Sequence, residues 1–494
     1  MKSELKEKTA RGLLWGGLGN GLQQLLSLAF GIFLARRLSL HDYGMVGMLT
    51  IFTVLAGAIQ ECGFTNALTN RRDATHRDYN AVFWFSTFMG LTLYALLFFS
   101  IPYILRFYHK PELEAELVRL ARFLFLGFVF SSTITAHNAI LFKTLRVKEK
   151  TMAQVTALVL SGTIGLALAY NGMGYWSIAI QNVSYVAVFT LMLWHFSPWR
   201  PTLPPLSFSF SRFHSFFAPV RQMFGFSSKI LVTNIVLQVN NNIFSMLLGR
   251  WFTTHTVGAY TQANKWNSMG YSLIGNTVNG VAQPVLTSVG DDLVRLRQVF
   301  RKMLRFTVFL SFPLMTGLGL VAHELIVITV TEKWLPAVPI LQVLCLFGAF
   351  FPVTTLFTNL IISRGASNIY MYSTVALGLL QIAVLTATHG LGLRPMLMAF
   401  VALYLLWQLV WQYWAWRLIG LKPYHVWRDM LPFAAITAVA IGAAWWLSRD
   451  IANVWLSIAV KILCAAAVYI AVMQLTGAKI FRESLDYLLK KRGS

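Results

Sequence analysis

Charged residues are scarce in this chain. Only 12% of its 494 residues are Asp, Glu, Lys or Arg, and 56% are hydrophobic. A soluble domain carries about twice that share of charge. The apolar residues suffice for about fourteen helical spans of ~20 residues each, and their long continuous runs exclude the ~10-residue alternation of an outer-membrane barrel. The composition therefore predicts an all-α integral membrane protein.

Acidic residues are the scarcest charged group, with 18 against 41 basic residues. All eight Asp fall in predicted loops or at span ends, and only Glu61 and Glu324 approach the membrane interior. An ion-coupled antiporter normally needs a buried carboxylate that titrates or binds the ion. Glu61 is the candidate for such coupling, although an interfacial or structural role is the favoured interpretation.

Signatures of metal and enzyme chemistry are also missing. The three cysteines are far apart and form no CxxC pair, and the sequence contains no HExxH motif and no paired carboxylates. We therefore expect no metal, no cofactor and no enzymatic activity.

The net charge of +23 is assigned to cytoplasmic loops rather than to nucleic-acid binding. If the N-terminus is cytoplasmic, the cytoplasmic segments hold about three times as many Lys and Arg residues as the outer segments. This asymmetry predicts a multi-pass protein with both termini in the cytoplasm.

Two distant apolar segments carry the same sparse pattern. The recurring residues are Asn20, Gln24, Phe30, Leu34, Arg36, His41 and Gly44 in the first copy and Asn234, Gln238, Phe244, Leu248, Arg250, His255 and Gly258 in the second. Hydrocarbon solvates amides badly, so a helix that keeps them usually has a protein-lined or watery place for them. A duplicated membrane unit with polar residues in both copies is typical of transporters.

The repeat divides the chain into two six-helix lobes that enter the membrane in the same direction. We predict an N-terminal lobe at 1–196, a Pro-rich cytoplasmic linker at 197–222, and a C-terminal lobe at 223–418. Spans thirteen and fourteen, at 419–475, have no counterpart and form an appended helical hairpin. Residues 476–494 form a basic cytoplasmic tail.

Amide stripes on three predicted spans are candidates for lining a hydrophilic cavity. The candidate substrate-binding residues are Asn20, Gln24, Arg36, Asn234, Gln238, Asn241, Arg250, Asn264, Lys265 and Asn267. The amides recur at i, i+4 and i+7 or i+3, which places them on one helical face. The alternative is that they stabilise helix–helix packing through interhelical hydrogen bonds, at about 0.6–2 kcal/mol per contact.

Lys265 is the strongest of these candidates for a functional role, because its charged side chain lies far inside the eighth predicted span. A lipid-facing ammonium there would cost about 3 kcal/mol, so a cavity position that meets an anion is favoured over snorkelling or an internal partner. Arg36 and Arg250 end their spans, where they form either interfacial anchors or a cationic mouth suited to phosphate.

Several short motifs, in their order along the chain, give it a resemblance to a known family. They are Glu7-Lys8-Thr9, Leu34-Ala35-Arg36, Tyr43-Gly44, Asp291-Asp292 with Arg295, Glu332-Lys333-Trp334, Pro339, Leu341-Gln342 and Leu344-Cys345. The chain resembles the polysaccharide transporter family of flippases in the multidrug/oligosaccharidyl-lipid/polysaccharide (MOP) superfamily, most of all exporters of the colanic acid type.

The resemblance implies a V-shaped protein of a bacterial inner membrane that translocates undecaprenyl-pyrophosphate-linked oligosaccharide by alternating access. It implies a role in exopolysaccharide or O-antigen biosynthesis, with membrane lipid and a polysaccharide polymerase or assembly complex as candidate partners. Two alternatives stay open: an ion-coupled multidrug antiporter of the same superfamily, and a membrane enzyme that acts on lipid-linked glycans.

Overall fold

The structure, a computed structural model, describes residues 2–61, 63–71, 73–204, 215–477, 480–481 and 483. Cys62, the middle of the predicted linker (205–214) and the end of the predicted tail (484–494) lie outside the described residues.

All regular structure in these ranges is helical. The helices are α1 (Lys2–Arg37), α2 (Leu40–Glu61), α3 (Phe64–Asn70), α4 (His76–Leu105), α5 (Pro111–Ser132), α6 (Thr135–Lys143), α7 (Val147–Tyr170), α8 (Tyr175–Phe196), α9 (Ala218–Trp251), α10 (Thr254–Ser288), α11 (Leu293–Leu320), α12 (Ala322–Val330), α13 (Ala337–Ser363), α14 (Ser367–Thr388), α15 (Leu393–Ile419), α16 (Pro423–Ser448) and α17 (Val454–Leu475). The prediction of an all-α membrane protein is confirmed.

Eleven helices in the described ranges are long and apolar enough to cross a membrane, or twelve if α5 and α6 form one span. The expected count of fourteen is therefore not confirmed. Neither α1 nor α10 is among these spans, although both exceed the ~20 residues that a crossing needs. In α1 several side chains lie outside the described residues, whereas in α10 the many polar residues lower the mean hydropathy.

The fourth predicted span, expected as one helix at 119–141, is broken rather than continuous. Helices α5 and α6 meet at a 46° bend, and three consecutive hydroxyls lie at the break. Ser131, Ser132 and Thr133 each donate to a backbone carbonyl three residues earlier, at 3.3, 2.7 and 3.0 Å. Such local bonds compete with the helical ladder and often bend helices.

Two compact units make up the chain, unit 1 at Met1–Gly258 and unit 2 at Ala259–Ser494. Helix α9 packs on α2 and α4 and belongs to unit 1. The lobe boundaries given by the repeat stay a prediction.

Glycines allow close helix packing in unit 1. Gly19 of α1 lies against Thr151 of α7, and Gly162 of α7 lies under the Phe30 ring of α1. A side chain at either glycine would collide with its neighbour, so these positions fix α1 against α7 and determine which face of α1 remains open.

In unit 2 the hairpin of α16 and α17 packs on α11 and α12. An apolar groove of about 560 Å³ runs between α11, α16 and α17, with Pro313, Ala440 and Ala466 among its lining residues. Lys461 is the charged residue that lines it.

Candidate functional site

In unit 1, α1 presents its amides on the side opposite its exposed apolar side chains. Asn20 is exposed and Gln24 is half-buried. Leu22, Leu25 and Phe33 are 46%, 65% and 49% exposed, and at 100° per residue they lie on the opposite side of the helix. A helix between lipid and a polar space requires this separation, because its apolar face then contacts lipid and its amide face contacts the polar space.

Helix α9 repeats the arrangement at the matching positions. Asn234 and Gln238 are half-buried and Asn241 is exposed. Further along the same face, the Ser245 hydroxyl donates to the Gly47 carbonyl at 3.4 Å. No hydrogen bond joins the amides of α1 to those of α9 among the described residues.

The two candidate arginines differ in their surroundings. Arg36 is exposed at the end of α1. Arg250 is half-buried; its guanidinium donates to the Phe107 carbonyl at 2.6 Å and lies 4.6 Å from the centre of the Phe107 ring. Arg250 therefore ties the end of α9 to the turn after α4, and a role at a cationic mouth stays a prediction for both arginines.

Glu61, the candidate for ion coupling, is the last residue of α2 and is half-buried. It interacts electrostatically with Lys150 near the start of α7. A carboxylate beside a lysine can serve a structural role, because the two opposite charges stabilise each other. Ion coupling through Glu61 stays a prediction.

In unit 2, the stripe predicted on α10 is largely turned inward. Tyr260 and Asn267 are buried, whereas Asn264 is half-buried. The Asn267 side chain packs against Gly348, and neither atom of its amide has a hydrogen-bond partner among the described residues. In this conformation Asn267 is closed off from solvent, and its role in binding stays a prediction.

The accessible polar face of α10 is a different one, centred on Lys265. Thr261 precedes Lys265 by four residues, and Ser268, Ser272 and Asn276 follow it by three, seven and eleven, so that all four share its face. The hydroxyls of Ser268 and Ser272 donate to carbonyls of their own helix, at 2.9 and 3.1 Å. This periodicity of small polar residues about Lys265 is visible in the sequence, but the amides of the neighbouring face gave the stronger pattern.

Lys265 is half-buried, and no carboxylate of the described chain lies within 4 Å of its ammonium. The buried carboxylates of unit 2 are paired with other cations. Glu324 binds Lys461 at 2.5 Å, and Asp429 binds Arg301 through Nε at 2.6 Å and Nη2 at 2.9 Å. Lys265 therefore contributes a positive charge that these pairs do not neutralise.

The comparisons with known proteins agree with this membrane architecture. A family model described as "Polysaccharide biosynthesis protein" matches residues 33–339. The chain is 23% identical over 371 residues to the lipopolysaccharide biosynthesis protein WzxC of Escherichia coli, a match covering 74% of this chain and 72% of that protein.

Two solved structures have a similar fold. The lipid II flippase MurJ in an inward closed conformation matches with a TM-score of 0.74 and 14% identity, covering 96% of this chain and 99% of that one. An inward-facing multidrug resistance MATE transporter of the MOP superfamily matches with a TM-score of 0.62 and 18% identity, covering 81% and 94%. At these identities the likeness establishes the fold alone. The family model covers more than half of the chain, which therefore belongs to the polysaccharide biosynthesis protein family and shares the helical fold of these two solved structures.

Proposed function

We propose that this protein translocates a lipid-linked oligosaccharide, with undecaprenyl pyrophosphate as the carrier, across a bacterial inner membrane. Membership of the polysaccharide biosynthesis protein family and the fold shared with a lipid II flippase support this function. A pyrophosphate and its sugars cannot cross ~30 Å of hydrocarbon unaided, because each desolvated polar group would cost several kcal/mol.

The observation that carries the proposal is the uncompensated ammonium of Lys265 on an accessible polar face of α10. A buried or half-buried cation without a partner is costly, and an anionic ligand removes that cost. Pyrophosphate supplies the opposite charge. The amides of Asn20, Gln24, Asn234 and Gln238 would supply hydrogen bonds to sugar hydroxyls.

The lipid tail differs from the head group in the solvent that suits it. A polyprenyl chain is as apolar as the bilayer and can stay there while the head group crosses. The apolar groove between α11, α16 and α17 offers such a chain a protein surface. Both termini would lie in the cytoplasm, and the lobes would alternate access to the head-group site.

The charge pairing in unit 2 favours this function over ion-coupled drug export. Coupling needs a carboxylate that is free to titrate or to bind the ion. Glu324 and Asp429 are each held by a cation, and Glu61 interacts with Lys150.

We expect Lys265→Ala to lower the rate of head-group translocation about tenfold to a hundredfold, since a charge-assisted hydrogen bond contributes about 1.5–3 kcal/mol. Flipping of a fluorescent undecaprenyl-pyrophosphate oligosaccharide in proteoliposomes measures the rate. Lys265→Arg keeps the charge and should retain most of the activity. Lys422→Ala, at an exposed lysine before α16, is the matched control.

Wild-type rates for Lys265→Ala would remove the lysine from the substrate site. Deletion of the gene tests the function as a whole: lipid-linked oligosaccharide should accumulate on the cytoplasmic leaflet. Normal surface polysaccharide, with no such accumulation, would contradict the proposed function.

A further inference from the structure

The two copies of the sequence repeat meet at the turns that follow their first helices. Gly44 of α2 lies against the backbone carbonyl of Thr254, and Gly258 of α10 lies against the backbone carbonyl of Leu40. All four residues belong to unit 1. We name this contact the glycine seam and define it by Leu40, Gly44, Thr254 and Gly258.

The seam is reciprocal. Leu40 and Thr254 occupy the same position in the two copies, as do Gly44 and Gly258. Each copy therefore places its glycine on the other copy's carbonyl, which is the isologous pattern of a two-fold axis. A third matched pair lies beside it: the rings of His41 and His255 are 6.0 Å apart.

Only glycine fits at these two positions. A Cβ atom at Gly44 or at Gly258 would overlap the facing carbonyl, which is backbone and cannot rotate away. At the seam both glycines are buried, Thr254 is 6% exposed and Leu40 is half-buried. The Thr254 hydroxyl and the His41 Nδ1 atom are 2.8 Å apart and close its edge.

Other glycines in the same helices do not have this role. Gly57 of α2 and Gly280 of α10 have open space where a Cβ would stand. The requirement for glycine is therefore local to the seam, and it explains why Gly44 and Gly258 recur in the repeat although the neighbouring residues differ.

We propose that the glycine seam is the closure of one end of the transport path, and that its two carbonyl–glycine contacts must separate once in every transport cycle. The inference rests on the proposed function, since it assigns a position to one step of alternating access. A backbone contact with no intervening side chain is either made or broken, which gives the closure two distinct states.

A methyl group at the seam should therefore shift the protein towards the open state. The reporter is Thr254→Cys, in a background in which the three native cysteines are alanine. In purified protein in nanodiscs, Gly44→Ala should raise the rate at which a charged maleimide labels this cysteine about tenfold to a hundredfold, as expected for overpacking of a closed state. Gly57→Ala is the matched control and should leave the rate unchanged.

An unchanged labelling rate in a monodisperse Gly44→Ala protein would overturn the proposal. This readout needs neither substrate nor transport, so it decides the role of the seam even if the wild-type protein does not flip the proposed substrate. Failure of the proposed function would show separately, as a wild-type protein without flipping activity.

A second variant covers the case in which Gly44→Ala does not fold. His41→Cys with His255→Cys places two thiols on either side of the seam without touching the glycines. Cross-linking them with a short bis-methanethiosulfonate reagent, which forms a disulfide with each cysteine and releases sulfinate, should stop flipping in proteoliposomes, and reduction of the disulfides with dithiothreitol should restore it. Flipping at the wild-type rate by the cross-linked protein would overturn the proposal.

Discussion

Replacing Lys461 with methionine is expected to lower the free energy of unfolding by about 3–5 kcal/mol, the usual cost of breaking a buried ion pair by removing one partner. The side chains of Lys461 and Glu324 are 12% and 7% exposed. Methionine keeps the length of the lysine stem, so packing changes little and the loss of charge dominates.

The loss of stability arises from the Glu324 carboxylate, which remains buried without its cation. Glu324 Oε1 accepts hydrogen bonds from Lys461 at 2.5 Å and from the Ser457 hydroxyl at 2.9 Å. The other carboxylate oxygen, Oε2, is buried without a hydrogen-bond partner among the described residues. Without Lys461, the buried negative charge would lose its cationic partner and keep the Ser457 hydroxyl as a side-chain donor.

The double variant separates the cost of an orphaned charge from the worth of the pair. Lys461→Met combined with Glu324→Leu should recover most of the lost stability, because apolar replacement of a whole buried pair is often neutral or stabilising. Denaturant unfolding in detergent micelles measures both variants. A double variant less stable than Lys461→Met alone would show that the remaining carboxylate is not the source of the lost stability and would contradict this account.

This ion pair also shows what the sequence could not reveal. Lys461 was recognisable as a charge deep in the fourteenth predicted span, but its partner is 137 residues away in the chain. Glu324 carried the opposite charge near another span end. Only the packing of α17 on α12 brings them together, and no local pattern encodes that packing.

Local patterns were sufficient for the positions of the helices. Apolar runs separated by polar breaks located the predicted spans, and two Gly-x-Gly sequences, at 172–174 and 390–392, lie at the turns between α7 and α8 and between α14 and α15. Gly172, Gly174 and Gly392 have positive φ there. The break between α5 and α6 was not predicted, because it depends on hydroxyl contacts that leave the apolar run intact.

The candidate site was only partly readable for a related reason. Helical periodicity shows which residues share a face, but not which face meets the protein core. On α10 the amide stripe through Asn267 turned inward, and the face of Lys265 stayed accessible. The recurrence of Gly44 and Gly258 was visible in the sequence, whereas their reciprocal contact required the structure.

Replacing Asp429 with alanine is expected to lower the free energy of unfolding by about 2–3 kcal/mol, somewhat less than the cost of breaking a fully buried pair. The Asp429 side chain is 6% exposed and Arg301 is 30% exposed, so water can partly solvate the guanidinium that remains. Arg305, at 3.7 Å, would lose its counter-charge as well. Asp429→Asn keeps the shape of the side chain and should fall between alanine and wild type.

An exposed ion pair one residue along α11 provides the matched control. Lys302 and Glu483 are 65% and 55% exposed, and Glu483→Ala should cost at most about 1 kcal/mol because water screens such pairs. Thermal unfolding of both variants in the same detergent gives the comparison. Equal effects at Asp429 and Glu483 would mean that the bidentate clamp does not hold α16 on α11. A larger loss at Asp429 would show that this buried carboxylate attaches the hairpin to α11. The same contact would then hold together the wall of the apolar groove, which α11 and α16 form.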